Sequence, residues 1–315
     1  PSLSRRPQGL RSSFRDPEMF QFIVDTVLRA SDLALIALGL SMLYGLVKFP
    51  NVAHVQYAMF GAYVTYALQS GGFPLVVALL AGSVAAGLLT LGLQVLVFQR
   101  LLRGGPAIAM IGSLAVAMLV IAIMQGLAGS FPRMFNLPRV EPLVIGGARI
   151  AWTQLYLMGT TIVLLLLFML VLFRTRLGRS MRALSSNPML ANASGLNAER
   201  ITYFVSFASG AIAGLGGSML ALSTGAHINL GNDLLLPVFA AAILGGLGNP
   251  VGAVFGALLI ALTETAVTNL NFGPLLGREL AFMPVGYISA GSFLILLLAL
   301  LFKPYGLFDR EVRRV

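Results

Sequence analysis

The chain has 315 residues, of which 57% are hydrophobic and only 10% are charged, far below the roughly 25% charged residues of soluble domains. Two histidines and no cysteine exclude disulfides and thiolate metal sites and leave little for a metal centre. The net charge of +10 comes from arginines and lysines at the ends of apolar runs. That distribution is typical of membrane insertion, so we expect a multi-pass membrane protein with no nucleic-acid partner.

Apolar runs that approach or exceed the roughly 20 residues of a membrane-spanning helix follow one another along the chain, and none alternates as a membrane β-strand does. We therefore predict an all-α polytopic fold with about eight spans, two of them broken or re-entrant, in two related halves. A polar basic segment, 1–19, precedes the transmembrane domain, 20–302, and a cytoplasmic tail, 303–315, follows it. The runs are 20–47, 49–68, 73–98, 107–128, 152–173, 201–223, 234–267 and 283–302.

Basic loops indicate the orientation of the spans. The 174–200 loop has five arginines against one glutamate, which predicts that it lies in the cytoplasm. Four arginines in segment 1–19 favour a cytoplasmic N-terminus as well. Counting spans back from the loop leaves residues 20–70 as either a hairpin from an external N-terminus or one broken crossing.

The first run carries Asp25, Arg29 and Asp32 at spacings of four and three, which place them on one helical face. A satisfied ion cluster at the membrane surface is the favoured interpretation, and a transport role is the alternative. After this run, Pro50 disfavours helix at the preceding residue, and Asn51 can cap a new helix.

The second interruption falls within run 234–267, which is broken by three glycines and an Asn-Pro pair and carries one carboxylate. Peptide groups freed inside a bilayer need partners from protein or a water-filled cavity, and matched interrupted segments indicate a substrate site near the membrane midplane. The segments YAMFGAYV and GAVFGALL follow the two breaks in comparable places. The predicted substrate path comprises Asn51, His54, Gln56, Gly245, Gly246, Gly248, Asn249 and Glu264.

Two of these residues have alternatives. His54 is expected to cap or brace the broken helix, and solute contact is the other possibility. Glu264 either lines the path or gate, or hydrogen-bonds to Thr263, Thr265 or a neighbouring helix.

A short helix is predicted inside the 174–200 loop. Asn187 suits the N-cap, Pro188 the first helical position and Gly195 the residue past the end. Such a helix is marginal alone in water, and this one exposes Met189 and Leu190, so we expect it to dock against a partner. The chain has no GxxxxGK[ST] loop for ATP and no nucleophile paired with a base, so no enzymatic activity is expected.

Residues 39–66, GLSMLYGLVKFPNVAHVQYAMFGAYVTY, resemble the LivH-type permease of branched-chain amino acid ABC transporters. Asn51, Ala53 and His54 match the family's motif, whereas Val55 and Gln56 stand where the family usually has glycine and glutamate. The resemblance continues through RALSSNPMLANASGLN, LGGLGNPVGAVFGALLIALTE and LFKPYGLF, in the expected order.

The resemblance implies an importer in the bacterial cytoplasmic membrane, with a second homologous permease, two cytoplasmic ATPases that hold ATP and Mg²⁺, and an extracytoplasmic solute-binding protein. No cofactor is expected on this chain. The implied solutes are hydrophobic amino acids or, alternatively, urea, amides or small carboxylates. A secondary transporter driven by an ion gradient and a non-transporting scaffold are the competing hypotheses. The residues implied in ATPase coupling are Asn187, Pro188, Met189, Leu190, Ala191 and Gly195.

Overall fold

The computed structural model describes residues 16–137, 141–145, 148–269, 288–303 and 306–307. Helix α3 (Leu75–Leu93) continues through a π-helical turn, Gln94–Phe98, into α4 (Gln99–Leu101), which is followed by the 3-10 turn Leu102–Gly104. The helices in these ranges are α1 (Asp16–Val47), α2 (His54–Ser70), α3 (Leu75–Leu93), α4 (Gln99–Leu101), α5 (Pro106–Ala128), α6 (Trp152–Arg174), α7 (Arg176–Ser186), α8 (Pro188–Ala193), α9 (Ala198–Thr224), α10 (Leu230–Gly245), α11 (Pro250–Asn269) and α12 (Ile288–Phe302).

The predicted all-α polytopic membrane fold is confirmed. Six helices in the described ranges are long and apolar enough to cross a membrane, and two shorter apolar helices, Leu230–Gly245 and Ser289–Phe302, accompany them. Run 234–267 consists of two helices, α10 and α11, joined by the predicted break. Two short strands in the described ranges, β1 (Leu143–Ile145) and β2 (Ala148–Ile150), form an antiparallel hairpin in the loop before α6.

Helix α2 lies at the centre of the bundle, because most of its residues are buried between α3, α9 and α10. Small residues allow this close packing. An added Cβ on Gly217 of α9 would overlap the backbone of Ala58 in α2, and one on Gly61 would overlap Gly214. By contrast, α5, α6 and α12 expose large apolar side chains, which suits helices that face lipid.

Contacts between helices fix the direction of α1. Gly45 packs against Gly248 and Ser185, near the 174–200 loop, whereas Arg29 reaches Glu264 in the second half of α11. Helix α1 therefore begins at the end of the bundle opposite that loop. With the 174–200 loop in the cytoplasm, as predicted, this direction is the one that the hairpin alternative for residues 20–70 requires. The arginines that favour a cytoplasmic N-terminus lie within 1–15, outside the described residues.

Candidate functional site

The first interruption separates α1 from α2 and is sheltered by protein. Lys48 adopts a left-handed conformation, with φ of 56°, and ends α1. Phe49 is buried and packs against Phe98, with ring centroids 5.6 Å apart. The chain then runs back into the bundle before α2 begins.

Polar partners satisfy the backbone at this entry to α2. Val52 N donates to Ser113 Oγ at 3.0 Å, and Ala53 N donates to Asn51 Oδ1 at 3.0 Å. His54 N donates to the carbonyl oxygen of Asn51 at 3.1 Å. Helix α2 begins at His54, with Ala53 at the N-cap position and no side-chain cap. Asn51 therefore shapes the turn before α2 and does not occupy the cap position that the sequence predicted for it.

His54 braces α2 against two other helices. Its Nε2 lies 3.2 Å from Ile36 O of α1, and its Nδ1 lies 3.4 Å from Ser209 Oγ of α9. A carbonyl oxygen only accepts, so Nε2 carries the proton. The Ser209 hydroxyl donates to the carbonyl oxygen of Gly39 of α1 at 2.9 Å. The His54 side chain is completely buried, so the bracing role fits the structure, and solute contact stays an untested alternative.

Gln56 connects α2 to the start of α10. Its Nε2 donates to Asn232 Oδ1 at 3.0 Å, whereas its buried Oε1 has no hydrogen-bond partner in the described part of the chain. Gly231 leaves room for that oxygen, since an added Cβ there would overlap it. Asn232 is exposed. The pair therefore joins the buried end of α2 to an open polar surface.

Sequence reasoning missed Asn232 and the neighbouring pair of His227 and Asp233, whose Nε2 and Oδ2 lie 3.2 Å apart. The available signal was the polar stretch before the apolar residues of α10. Gln56 and Asn232 are 176 positions apart, so their pairing leaves no local pattern in a single sequence.

The second interruption is a glycine turn between α10 and α11. Gly246 and Gly248 have φ of 95° and 90°, values that favour glycine. Asn249 N donates to Gly246 O at 3.0 Å, and Asn249 Oδ1 accepts from Gly252 N at 3.1 Å, which caps α11. Gly245 lets the first turn of α11 pack closely against the end of α10.

Helix α2, which follows the first interruption, begins beside Ile36 of α1, whereas the second interruption lies beside Gly45. These two residues of α1 are nine positions apart, which corresponds to about 14 Å along the helix. The breaks occupy comparable places in the sequence, and α2 begins deeper in the bundle than the second break. The second break lies at the loop end of the bundle, because Ser185 and Ser186 share a cavity with Gly248 and Asn249.

Glu264 is buried and bridges three helices. Arg29 Nε of α1 donates to Oε2 at 2.5 Å, and Ser292 Oγ of α12 donates to Oε1 at 2.5 Å. Within the expected cluster on α1, the charge of Arg29 acts on Asp32, but the ion pair of Arg29 is with Glu264. Asp25 accepts from Gln21 Nε2 at 2.7 Å. Of the alternatives for Glu264, the structure shows a bond to a neighbouring helix, and a role in the path stays a prediction.

The predicted helix of the 174–200 loop is present as α8. Asn187 Oδ1 accepts from Leu190 N at 3.1 Å, and Gly195 has φ of 83° just past the end. Ala191 is buried against the protein, whereas Met189 is 85% and Leu190 64% exposed. Two large apolar side chains thus project from a capped helix into open space.

Residues 22–302 match the family described as branched-chain amino acid transport system / permease component. The chain belongs to this family. It is 29% identical to the probable branched-chain amino acid transport permease protein LivH of Methanocaldococcus jannaschii, over 87% of this chain and 88% of that protein. The permease BraD of Pseudomonas aeruginosa is 28% identical, over 95% and 100% of the two chains. LivH of Escherichia coli is 26% identical, over 94% and 97%.

Family membership makes the chain a membrane permease subunit of an ABC transporter and not an enzyme. Within the permease, the structure brings Asn51, His54 and Gln56 together at the start of α2. It places Gly245, Gly246, Gly248 and Asn249 at the loop end and Glu264 in an ion pair. The sequence-predicted residues therefore form three separate groups.

Proposed function

We propose that this permease imports a branched-chain or other hydrophobic amino acid across the cytoplasmic membrane. It works with a second permease, two cytoplasmic ATPases that bind ATP and Mg²⁺, and an external solute-binding protein. The names of its relatives from M. jannaschii, P. aeruginosa and E. coli support this solute class. Urea, amides or small carboxylates are the alternative solutes within the same family.

The exposed apolar pair on α8 carries the proposal of ATPase coupling. Met189 and Leu190 lie on a helix held by its own caps, so their exposure does not result from a frayed loop. An ATPase groove that covers them would bury apolar surface worth about 25 cal/mol per Å². ATP-driven closure of the ATPases then favours one access state of the spans by population shift.

The polar pair of Gln56 and Asn232 is the part of the predicted path that we propose meets the solute. Asn232 is exposed and Gln56 lies behind it, so both present neutral amide groups. Neutral donors and acceptors suit a zwitterion or a neutral solute better than a multiply charged one. Asn51 and His54 are buried and hold the start of α2 in position.

A secondary transporter driven by an ion gradient is the competing mechanism. Carriers of that class need an acid that can exchange its ion. Both carboxylate oxygens of Glu264 are engaged, by Arg29 and by Ser292. This observation favours a structural ion pair over an ion carrier at Glu264.

Coupling is tested with Met189→Asp and Leu190→Asp in the assembled complex reconstituted in liposomes. We expect solute-stimulated ATP hydrolysis and uptake to fall at least tenfold while the complex remains folded. The control is Leu177→Asp, which changes a 41% exposed leucine of the same loop outside α8. Unchanged coupling in both α8 variants would refute the docking helix. Uptake by the isolated chain under a proton or sodium gradient would refute ATP-driven transport.

A further inference from the structure

A cavity of about 280 Å³ lies where the loop end of the bundle meets α7. Its polar wall comes from Arg182, Ser185 and Ser186 of α7 and from Asn249 of the second break. Its apolar wall comes from the ends of three spans and from the middle of α7, through Met42, Leu46, Leu172, Phe173, Met181 and Val251. The cavity is therefore amphipathic.

Two groups of the polar wall, the Arg182 guanidinium and the Ser185 hydroxyl, have hydrogen-bond donors without an acceptor in the described part of the chain. Arg182 stacks on Phe173, with Cζ 5.4 Å from the ring centroid, and its Nη1 donates to the carbonyl oxygen of Leu172. That is the one bond its guanidinium makes within the described ranges, although the group has five N–H donors. The hydroxyl of Ser185 has no hydrogen-bond partner among the described residues. Unused donors around a fixed cation suit an oxyanion.

The charged side chains around the cavity are positive. No acidic residue lines the cavity in the part of the chain that the structure describes, and Arg174, Arg176 and Arg179 lie on the same loop. Basic pockets between spans on the cytoplasmic side are suited to phosphate-bearing lipid headgroups.

The apolar wall favours a lipid over a soluble anion. It continues onto exposed apolar side chains of α6, where Leu170 is 57% and Phe173 54% exposed, and of α11, where Phe255 is 48% exposed. A soluble phosphate has no group to place there, whereas the acyl chains of a lipid do.

We propose that this cavity is a binding site for an anionic phospholipid, with the phosphate at Arg182 and Ser185 and the acyl chains along α6 and α11. The assignment is independent of the solute that the permease carries. A phospholipid bound in this cavity holds α7 against α1 and the second break.

The test measures binding of dioleoylphosphatidylglycerol and dioleoylphosphatidylcholine to the delipidated permease complex in detergent, by native mass spectrometry. We expect the wild-type protein to retain phosphatidylglycerol at least tenfold more tightly than phosphatidylcholine. Arg182→Gln should remove that preference. Arg179→Gln, which changes an exposed arginine of the same helix outside the cavity, should retain it.

Ser185→Ala provides a second variant, because Arg182 also caps the end of α6 and its loss can disturb the fold. This variant should weaken phosphatidylglycerol binding several-fold and leave the elution profile unchanged. Equal losses of phosphatidylglycerol binding in Arg182→Gln and Arg179→Gln would show diffuse attraction of the lipid to basic residues and would overturn the site. If glycerol phosphate competes for the site as tightly as the lipid binds, the assignment to a lipid is overturned. Equal retention of phosphatidylglycerol and phosphatidylcholine would overturn both the site and its assignment to an anionic lipid.

Discussion

The two interrupted elements look alike in sequence and differ in the folded permease. Each contains a proline and an asparagine whose side-chain oxygen accepts from a backbone amide near the start of the next helix. The first leads into the bundle, where α2 begins beside Ile36, and the second lies at the loop end beside Gly45. A break in an apolar run thus indicates that peptide groups there need hydrogen-bond partners. Whether the break leads to a buried polar centre or forms a surface turn depends on the helix that packs beside it.

The largest effect is expected from Gly252→Val at the second break. An added Cβ would overlap the carbonyl oxygen of Gly245 and separate α10 from α11, at a cost of about 3 kcal/mol. We expect little folded protein by size-exclusion chromatography in detergent. Gly126→Val in α5 is the control, since nothing lies within 4 Å of that position. Equal yields of the two variants would show that the turn is not closely packed.

At the first break, His54→Ala should lower the free energy of unfolding by about 3 kcal/mol, because it leaves a cavity in a fully buried site. His227→Ala is matched in chemistry, but its partner Asp233 is exposed, and exposed pairs contribute about 0.5 kcal/mol. Unfolding by SDS in mixed micelles measures both. Similar values for the two histidines would contradict the buried bracing role of His54.

The same substitution at both breaks compares their depths directly. Asn51→Ala leaves the Ala53 amide unpaired in a buried site, at a cost of about 2 kcal/mol. Asn249→Ala removes a cap at the loop end, where water can replace it, at a cost of about 1 kcal/mol. The difference is read from the same SDS titration. A larger loss at Asn249 would reverse the assigned depths.

The smallest effect on stability is expected from Gln56→Met. The buried Oε1 has no hydrogen-bond partner among the described residues, and water can replace the bond that Nε2 donates to the exposed Asn232. The free energy of unfolding should therefore change by only about 0.5 kcal/mol. Uptake of a branched-chain amino acid should nevertheless fall about tenfold if the pair with Asn232 meets the solute. Gln125→Met in α5, which changes an exposed glutamine, is the matched control. Normal uptake by the Gln56 variant would remove the pair from the path.

The candidate site could be predicted in its local features only. Local turns and caps could be predicted at Asn51, Asn187 and Gly195. Each depends only on residues within a few positions in the chain. The partner of Arg29 could not be found in this way. Glu264 is 235 residues away, and the nearer carboxylates on α1 offered a more obvious pairing.

The sequence by itself determined the membrane class, the succession of spans, the two interruptions and the capped loop helix, since each follows from composition or from short-range backbone chemistry. Only the tertiary structure decided the direction of α1, the separate depths of the two breaks and the pairings of Glu264 and Gln56. Those properties depend on which helices pack side by side. Helix packing is set by small residues and buried polar partners that are distant in the chain.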